Sequence, residues 1–581
     1  MSTSAASHLS PAFPERAAWG TAQKLRAWQA AALDIYFAEE RRDFLAVATP
    51  GAGKTTYALR LATELLDRGI VTHLTIVAPT EHLKTQWADA AGRVGIQIDP
   101  RFTNAQQEHA SSFHGIAVTY AGVASKPALH RARTQAHRTL VILDEIHHGG
   151  DNKSWGDAIR EAFEPAVRRV SLTGTPFRSD TSPIPFVRYD AGADGIRRSS
   201  SDYSYGYAQA LRDGVVRPVI FMAYGGAMRW RTRAGDEIAA RLGEPLTKDL
   251  TAAAWRTALD PSGDWIPSVL QAANTRLTQV RRHVPDAGGL VIASDQANAR
   301  AYAKVLGQIS GEDPVVVLSD DAGASSRIEK FAEGGQRWMV AVRMVSEGVD
   351  VPRMCVGVYA TSAATPLYFA QAVGRFVRAR RRGETASIFL PSVAPVLTHA
   401  AAMEIDRDHA LDRPRSSEEE ALWAPEEDLL AAANATESIT GEQGSFEALE
   451  SDAQFDHVLF DAQQFGLNSA TGSADEQEYL GLPGLLEPEQ VTQLLRERQQ
   501  KQVDSAPRAT GAPVAEHRAL AARRKELNSL VAAYARKSGE PHAQLHTELR
   551  RVCGGPALDR ASNDQVGARI DTLRRWFVGR R

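Results

Sequence analysis

Short apolar runs alternate with amphipathic segments along the first part of the chain. The runs are Phe44–Thr49, Leu74–Ala78, Ile116–Thr119, Leu140–Leu143 and Val170–Leu172. They are continuously apolar rather than alternating, as expected for parallel strands that are covered on both faces. Thr55–Leu66 and Glu81–Ala91 are amphipathic and are followed by glycines, which is typical of helices. The pattern predicts an α/β domain built on a parallel sheet.

A second series of apolar runs follows the first. Its members are Val219–Met222, Gly289–Ala293, Val315–Leu318, Met339–Val342, Cys355–Val358 and Ile388–Leu390. Between the first two runs, residues at about 225–285 carry Trp230, Trp255 and Trp265 in a sequence that favours helices. We therefore expect a second α/β domain that contains a helical excursion.

Composition excludes several classes of protein. The chain has 581 residues, 43 % of them hydrophobic, which excludes a disordered or fibrous protein and suggests three or four domains of about 150 residues each. Its 2 cysteines exclude a disulfide scaffold and a zinc site built on three or four thiolates. The N-terminal stretch lacks an apolar centre, and no run of about 18 apolar residues is present. We therefore expect a cytoplasmic protein with no membrane partner.

The net charge of −3 conceals a segregation of charge along the chain. Ser416–Leu495 holds 18 acidic and no basic residues, whereas Arg496–Arg581 holds 18 basic and 9 acidic residues. We interpret 416–514 as an acidic linker that is mostly a flexible spacer, because like charges repel and the segment contains nothing that compensates them. The alternative interpretation is a nucleic-acid mimic that occupies a basic groove of the same protein.

The basic C-terminal segment, 515–581, is predicted to form a small all-helical domain. Apolar residues at helical spacing predict the helices Ala515–Lys537, Pro541–Val552 and Asn563–Phe577. The arginines of this module suit nucleic-acid phosphates, and binding to a protein partner is an alternative of equal weight. A flexible tail at 1–20 and α/β domains at 21–190 and 191–415 complete the predicted division of the chain.

A glycine-rich loop between an apolar strand and a helix is the strongest chemical signal. It occupies Ala48–Thr55, with the sequence ATPGAGKT. Glycines let the backbone curl so that successive N–H groups face a phosphate. Lys54 supplies a point charge, and the hydroxyl of Thr55 can ligate Mg²⁺. The alternative, a glycine-rich turn without a ligand, is disfavoured by the strand before the loop and by the GKT ending.

Two further clusters carry charged side chains. Asp144 and Glu145 follow an apolar strand, where one carboxylate can hold Mg²⁺ and its neighbour can orient and deprotonate water. Arg375 and Arg378 lie three residues apart and would share one helix face, from which they could reach phosphates across a cleft. Taken alone, the arginine pair is more typical of a basic helix that faces solvent or binds nucleic acid.

The order of these motifs resembles superfamily 2 helicases and translocases of the DExH type. Further stretches fit the same resemblance: Leu25–Gln29, Ala78–Thr80, Val118–Tyr120, Leu172–Pro176 and Val342–Pro352. The wording LRAWQ, DEIHH and LTGTPFR, together with DGVVRP at 213–218, is most similar to the motor subunits of type I and type III restriction enzymes. The resemblance covers about residues 21–395. Neither a PD-(D/E)xK nor an HNH nuclease pattern is found in the sequence.

This resemblance implies two RecA-like parallel-sheet domains in tandem, with ATP and Mg²⁺ between them, followed by the acidic linker and the small all-helical domain. The residues expected to act in catalysis are Lys54, Glu145, Gln371, Arg375 and Arg378. Those expected to bind ATP are Arg26, Gln29, Pro50, Gly51, Ala52, Gly53, Lys54, Thr55, Thr56, Gly348 and Asp350. Thr55 and Asp144 are expected to hold Mg²⁺, and Thr80, Thr119 and Arg343 are expected to contact nucleic acid.

The function that the resemblance implies is ATP-dependent movement along nucleic acid. We expect a helicase or translocase that acts on single-stranded or duplex DNA. One alternative is an RNA helicase, since motors that track the backbone contact phosphates and read few bases. Another is an ATP-gated motor or adaptor subunit of a larger repair or restriction-like complex, without a nuclease of its own. A P-loop ATPase that borrows an arginine from a neighbouring subunit is disfavoured, because arginines are available in the same chain.

Overall fold

The computed structural model describes residues 25–106, 109–150, 153–174, 183–192, 197–232, 235–318, 323–342, 351–381, 383–403, 447–466, 468–505, 542–556 and 561–577, together with 523, 524, 527, 530, 531, 534 and 558. Several predictions from the sequence lie outside these residues. They concern the tail at 1–20, the first part of the acidic segment, most of the first C-terminal helix, and the site residues Arg343, Gly348 and Asp350.

A seven-stranded parallel sheet organises the first domain, as predicted. Its strands are β1 (Asp43–Ala48), β2 (His73–Ala78), β3 (Ile98–Asp99), β4 (Gly115–Thr119), β5 (Thr139–Asp144), β6 (Arg168–Thr173) and β9 (Tyr203–Tyr205), while β7 (Arg188–Ala191) and β8 (Arg197–Ser200) form a separate antiparallel pair. The order across the sheet is β3-β4-β2-β5-β6-β1-β9. This arrangement brings the carboxyl ends of β1, β5 and β6, where the motifs lie, next to one another.

Helices cover both faces of this sheet. They are α1 (Ala27–Glu39), α2 (Lys54–Asp67), α3 (Glu81–Arg93), α4 (Tyr120–Ser125), α5 (Pro127–Ala136) and α6 (Lys153–Phe163), with a 3₁₀ turn at Ile146–Gly150. Successive residues of β1 enter different cores, so that Phe44 and Ala46 pack on the side of α1 and α2, whereas Leu45 and Val47 pack on the side of α6. Burial on both faces is the physical reason why the strands lack polar alternation.

The second domain has a larger, mixed sheet. Its strands are β10 (Val219–Arg231), β11 (Glu237–Leu242), β12 (Gly288–Ala293), β13 (Val315–Val317), β14 (Trp338–Val342), β15 (Met354–Ala360), β16 (Ala386–Pro391), β17 (Glu447–Ser451), β18 (Gln454–Phe460), β19 (Gln463–Phe465) and β20 (Ser469–Ala470). The path β13-β14-β12-β15-β16-β10 is parallel, as predicted. Strands β11, β17 and β18 add to β10 in the antiparallel sense, which the sequence pattern did not predict.

Six helices accompany this sheet in the described residues. They are α8 (Lys248–Ala258), α9 (Trp265–Arg281), α10 (Gln296–Ser310), α11 (Ala324–Glu333), α12 (Pro366–Gly374) and α13 (Ala394–Ala401), whereas α7 (Tyr207–Arg212) lies in the connector between the two sheets. The predicted helical excursion at 225–285 is wrong in its first part, which is a β-hairpin. Met228 and Trp230 are buried between the more exposed Arg229 and Arg231, a period of two that marks a strand.

The prediction of a flexible acidic spacer is wrong for the part of the segment that the structure describes. Residues 447–470 form four strands on β10 and its neighbours, followed by α14 (Ala474–Leu480) and α15 (Pro488–Ser505). The cations that the segment lacks come from β10 and β11. Its acidic residues pair with arginines in Arg229–Glu450 (3.2 Å), Arg231–Glu447 (2.6 Å) and Arg241–Asp456 (2.6 Å). Charge repulsion within the segment is therefore offset by partners from a distant part of the chain, and the segment folds.

The C-terminal module has its own small core. Helices α16 (His542–Cys553) and α17 (Asn563–Phe577) agree with the prediction, and Leu527, Val531 and Tyr534 of the preceding helical positions pack with them. Arg574 of α17 lies 3.5 Å from Glu244, which follows β11. Among all described residues, no helix is both long and apolar enough to cross a membrane.

Candidate active site

The glycine-rich loop joins β1 to α2 at the edge of a cleft of about 740 Å³. Gly51 and Gly53 have φ values of +79° and +94°, which favour glycine. A Cβ atom on Gly51 would lie 2.9 Å from Cγ of Arg378, and one on Gly53 would lie 2.9 Å from Nε2 of Gln29. Both the backbone angles and the space thus require the two glycines that the sequence places here.

Helix α1 begins against the back of the loop and binds its carbonyl groups. Nε2 of Gln29 donates to the carbonyl of Gly53 at 2.9 Å, and Nη1 of Arg26 donates to that of Gly51 at 3.0 Å. The indole N–H of Trp28 donates to the carbonyl of Ala52 at 3.1 Å. Because the N–H of a peptide unit points away from its carbonyl, the amides of Gly53 and Lys54 turn to the opposite side. The loop thereby presents N–H donors suited to an anion.

Lys54 and Glu145 form an ion pair at the centre of the cleft. Nζ of Lys54 lies 2.8 Å from Oε1 of Glu145 and 3.3 Å from the carbonyl oxygen of Ala48. The other carboxylate oxygen of Glu145 accepts the backbone N–H of Gly174 at 3.0 Å. Burial, the largest single effect, would raise the pKa of Glu145, but the charges of Lys54 and His147 and the hydrogen bonds from Lys54 and Gly174 together lower the pKa to about 2. Glu145 is therefore anionic at neutral pH.

Asp144 is buried beside Glu145 and is held by a tryptophan. The indole N–H of Trp87 donates to Oδ2 of Asp144 at 2.7 Å, and the hydroxyl of Tyr120 donates to its backbone carbonyl at 2.9 Å. Burial and the neighbouring charge of Glu145 raise the pKa of Asp144 to about 6. An adjacent pair of carboxylates with the hydroxyl of Thr55 on the same cleft is an oxygen donor set that suits Mg²⁺. The residues present thus fit the metal.

The second domain contributes α12 and the segment after it to the opposite wall. Nε2 of Gln371 lies 3.4 Å from Nε2 of His147, and Nδ1 of His147 lies 3.6 Å from Glu145. A Cβ atom on Gly374 would meet Pro50 at 2.8 Å, so helix and loop are in contact. Burial lowers the pKa of Arg378 to about 10, with Glu145 acting in the opposite direction, and its guanidinium stays cationic. Phosphate loop, carboxylates and arginines therefore meet across one cleft between the two domains.

Known proteins are similar to this chain in sequence. Residues 22–178 match the protein-family model described as "Type III restriction enzyme, res subunit". An uncharacterized protein of Mycobacterium tuberculosis is 56 % identical over 559 residues, which cover 95 % of this chain and 92 % of the relative. The chain belongs to the superfamily 2 helicase-like proteins with a restriction-subunit domain.

More distant matches exist for this superfamily 2 protein. The DNA 3'-5' translocase XPB2 of Sulfurisphaera tokodaii is 25 % identical over 373 residues, which cover 61 % of this chain and 79 % of the relative. A fragment described as an HsdR subunit of a type I restriction enzyme from Vibrio vulnificus YJ016 superposes with a TM-score of 0.44 at 16 % identity, covering 66 % of this chain and 67 % of that one.

Not every site residue that the sequence predicted lies on the cleft of this superfamily 2 protein. Thr56 is exposed on α2, and Ala52 and Gln29 are buried behind the loop. Thr80 and Thr119 cap α3 and α4, where their hydroxyls accept the backbone N–H groups of Leu83 (3.4 Å) and Gly122 (3.0 Å). Both threonines lie at or just after the carboxyl end of a strand, and neither lines the cleft, although Pro79 beside Thr80 does.

Sequence reasoning missed the roles of two side chains that organise the site. The indole of Trp87 donates a hydrogen bond to Asp144. His147 lies between Glu145, Thr173 (3.0 Å) and Gln371. Because an amide nitrogen only donates, Nε2 of His147 accepts from Gln371 and its proton sits on Nδ1. No local pattern predicts either contact, because Trp87 and Asp144 lie 57 residues apart and His147 and Gln371 lie 224 residues apart.

Proposed function

We propose that this protein is a nucleic-acid-stimulated ATPase that hydrolyses ATP between its two domains and moves along DNA as a helicase or translocase. The observation that carries the proposal is the contact of Arg378 with Gly51, which puts a cation of the second domain on the phosphate loop of the first. Hydrolysis that needs both domains ties each ATP turnover to cleft closure, which is how a two-domain motor couples chemistry to movement.

In this proposal ATP replaces an internal ion pair. The γ-phosphate takes the ammonium of Lys54, which now lies 2.8 Å from Glu145, and the amides of Gly53 and Lys54 hold the β-phosphate. Release from Lys54 leaves the Glu145 carboxylate free to orient and deprotonate the attacking water. The N–H of Gly174 keeps the carboxylate aimed at that position. The ion pair thus keeps the proposed general base, Glu145, bound to Lys54 until ATP binds.

The remaining polar residues receive roles from their positions. Thr55 and Asp144 would hold Mg²⁺, which when bound neutralises charge on the β- and γ-phosphates. Arg378, with Arg375, neutralises the charge that develops on the γ-phosphate in the transition state. Gln371 and His147 connect the second domain to Glu145, so that domain closure orients the base. Arg26 lines the cleft beside the phosphate loop, with its Nη1 bound to the carbonyl of Gly51, and from there it is proposed to contact the nucleoside.

The test of this function is ATP hydrolysis measured with single-stranded DNA, duplex DNA and RNA of equal length. We expect stimulation by DNA, in agreement with the translocase name of the archaeal relative. If RNA alone stimulated hydrolysis, the protein would move along RNA rather than along DNA. The absence of stimulation by any of the three polymers would contradict the motor and favour the ATP-gated adaptor.

Changing Trp87 to phenylalanine is expected to raise the Mg²⁺ concentration needed for half-maximal ATPase activity. An aromatic ring is kept while the only N–H donor to the Asp144 carboxylate in the described structure is removed. Loss of a group that orients a metal ligand costs about 10- to 100-fold in metal affinity. The measurement is a Mg²⁺ titration at saturating ATP. Trp255 of the second domain, changed to phenylalanine, is the matched control, and an equal shift in both variants would contradict the role.

Removing residues 515–581 is expected to weaken DNA binding and to flatten its dependence on salt. The module carries Arg550, Arg551 and Arg575 on helices that pack through their opposite faces. Each phosphate that the shortened protein leaves unbound keeps its counterion, so fewer counterions are released on binding. ATP binding should be unchanged, because the cleft is lined by residues 26–379. The measurement is the slope of log Kd against log salt concentration. An unchanged slope would assign the module to a protein partner.

A further inference from the structure

The connector between the two sheets touches both walls of the cleft. It starts with β9, which pairs with β1, and the N–H of Thr49 in the phosphate loop donates to the carbonyl of Tyr205 at 3.0 Å. The hydroxyl of Tyr205 donates to Asp213 at 2.7 Å, across α7. After residues 213–218 the chain enters β10 of the second sheet. A single short segment therefore runs from the phosphate loop to the second domain.

Arg217 of this connector binds the segment that carries Arg378. Its backbone N–H donates to the carbonyl of Val377 at 2.8 Å, and its Nε donates to the carbonyl of Phe376 at 2.6 Å. The preceding residue, Val216, forms an antiparallel β-bridge with Arg378 itself. Three consecutive residues of the arginine segment are thus held by two consecutive residues of the connector.

The rest of the Arg217 guanidinium ties that segment to the core of the second domain. Nη1 lies 3.3 Å from Oε2 of Glu384 and 3.0 Å from Sγ of Cys355, and Nη2 donates to the carbonyl of Pro352 at 3.1 Å. The side chain is 1 % exposed. Glu384 also accepts the backbone N–H of Arg380 at 2.9 Å. The planar guanidinium, with its five N–H donors, therefore joins the start and the end of the turn 376–384 to the connector.

We propose that Arg217 is a positioning residue that sets Arg378 against the phosphate loop, so that the connector transmits the state of the loop to the arginine. This inference rests on the proposed function, because it assigns Arg217 to the same transition-state contact. The physical reason is geometric: Arg378 follows directly after two carbonyls that Arg217 binds, and a displacement of about 1 Å at a reacting group can cost up to 100-fold in rate. Arg217 itself is not among the residues that line the cleft.

The experiment compares Arg217→Met with Arg276→Met, a matched control. Arg276 is an equally buried arginine of the second domain, but its hydrogen bonds go to Ser387 (2.9 Å) and to the loop at 480–483. We expect Arg217→Met to lower kcat for DNA-stimulated ATP hydrolysis between about 10- and 100-fold, with the KM for ATP within about twofold of wild type. Arg276→Met should keep the wild-type kcat. Equal losses of kcat in the two variants would overturn the inference, since the loss of any buried arginine would then lower kcat.

A double variant tests whether Arg217 acts through Arg378. If it does, Arg217→Met should cost no further rate in an Arg378→Ala background, whereas independent roles would make the two losses multiply. If circular dichroism shows that Arg217→Met does not fold, Arg217→Lys replaces it in both experiments. Lysine keeps the charge facing Glu384 but cannot reproduce the forked bonds to Phe376 and Pro352, so the same loss of kcat is expected. A wild-type kcat in Arg217→Lys, or multiplying losses, contradicts the inference. A wild-type protein that DNA does not stimulate contradicts instead the proposed function.

Discussion

Replacing Glu145 with glutamine is expected to abolish nucleic-acid-stimulated ATP hydrolysis while ATP binding is kept. The amide preserves the shape of the side chain but cannot accept a proton from water, and loss of a general base costs about 100- to 10,000-fold in rate. Binding should be retained or tightened, because Lys54, now 2.8 Å from the Glu145 carboxylate, no longer has to leave an ion pair to reach the phosphates. Phosphate release and the binding of a fluorescent ATP analogue measure the two quantities.

Lys54→Ala, which removes the other member of the ion pair, is expected to differ from Glu145→Gln in its effect on ATP binding. It should also abolish hydrolysis, but with weaker ATP binding, because the phosphates lose a cation that the loop amides cannot replace. The contrast between the two variants separates the base from the phosphate ligand. Turnover near the wild-type rate in Glu145→Gln would remove Glu145 from the role of general base, and unchanged ATP affinity in Lys54→Ala would remove Lys54 from the phosphate site.

Replacing Arg378 with alanine is expected to lower the rate of hydrolysis by about 1,000-fold or more, with ATP affinity nearly unchanged. An arginine that reaches the γ-phosphate from a second domain contributes mainly in the transition state, where charge is greatest. Its side chain lies against Gly51 of the phosphate loop and is partly buried in the cleft, so water screens its charge only in part. Single-turnover hydrolysis at saturating ATP measures the step directly.

Arg381, three residues further along and exposed, provides the control for this variant. Arg381→Ala should hydrolyse ATP like the wild type, since a solvated side chain outside the cleft contributes no charge to the phosphates. If Arg378→Ala instead kept its hydrolysis rate and lost only affinity for DNA, the segment after α12 would be part of a nucleic-acid surface rather than of the ATP site.

Local pattern was sufficient for the longer parallel strands of both sheets, though not for the short strands β3 and β9, and for the chemistry of the phosphate loop. A strand buried on both faces must be apolar throughout, so runs such as Leu74–Ala78 are visible without knowledge of their neighbours. The loop is equally local, because the φ values of Gly51 and Gly53 and the helix that begins at Lys54 concern a few consecutive residues.

The prediction that failed was the one drawn from the local pattern of charge in the acidic segment. The acidic segment contains no cation of its own, and from sequence alone this argues for a solvated spacer. In the folded protein, Glu447 and Glu450 face arginines of β10, which lies far earlier in the chain, and β18 extends the sheet from the same strand. The compensating charges belong to another part of the chain, so composition within a window could not reveal them.

What the sequence by itself determined is therefore the set of reactive groups and the strands that carry them. Only the tertiary structure decided which groups meet: that Trp87 holds Asp144, that Gln371 reaches Glu145 through His147, and that Arg217 of the connector holds the carbonyls beside Arg378. The physical reason is that periodicity and turn chemistry act over a few residues. These hydrogen bonds join residues that lie 57, 159 and 224 positions apart, so they depend on how distant elements pack together, and no single stretch of sequence encodes that.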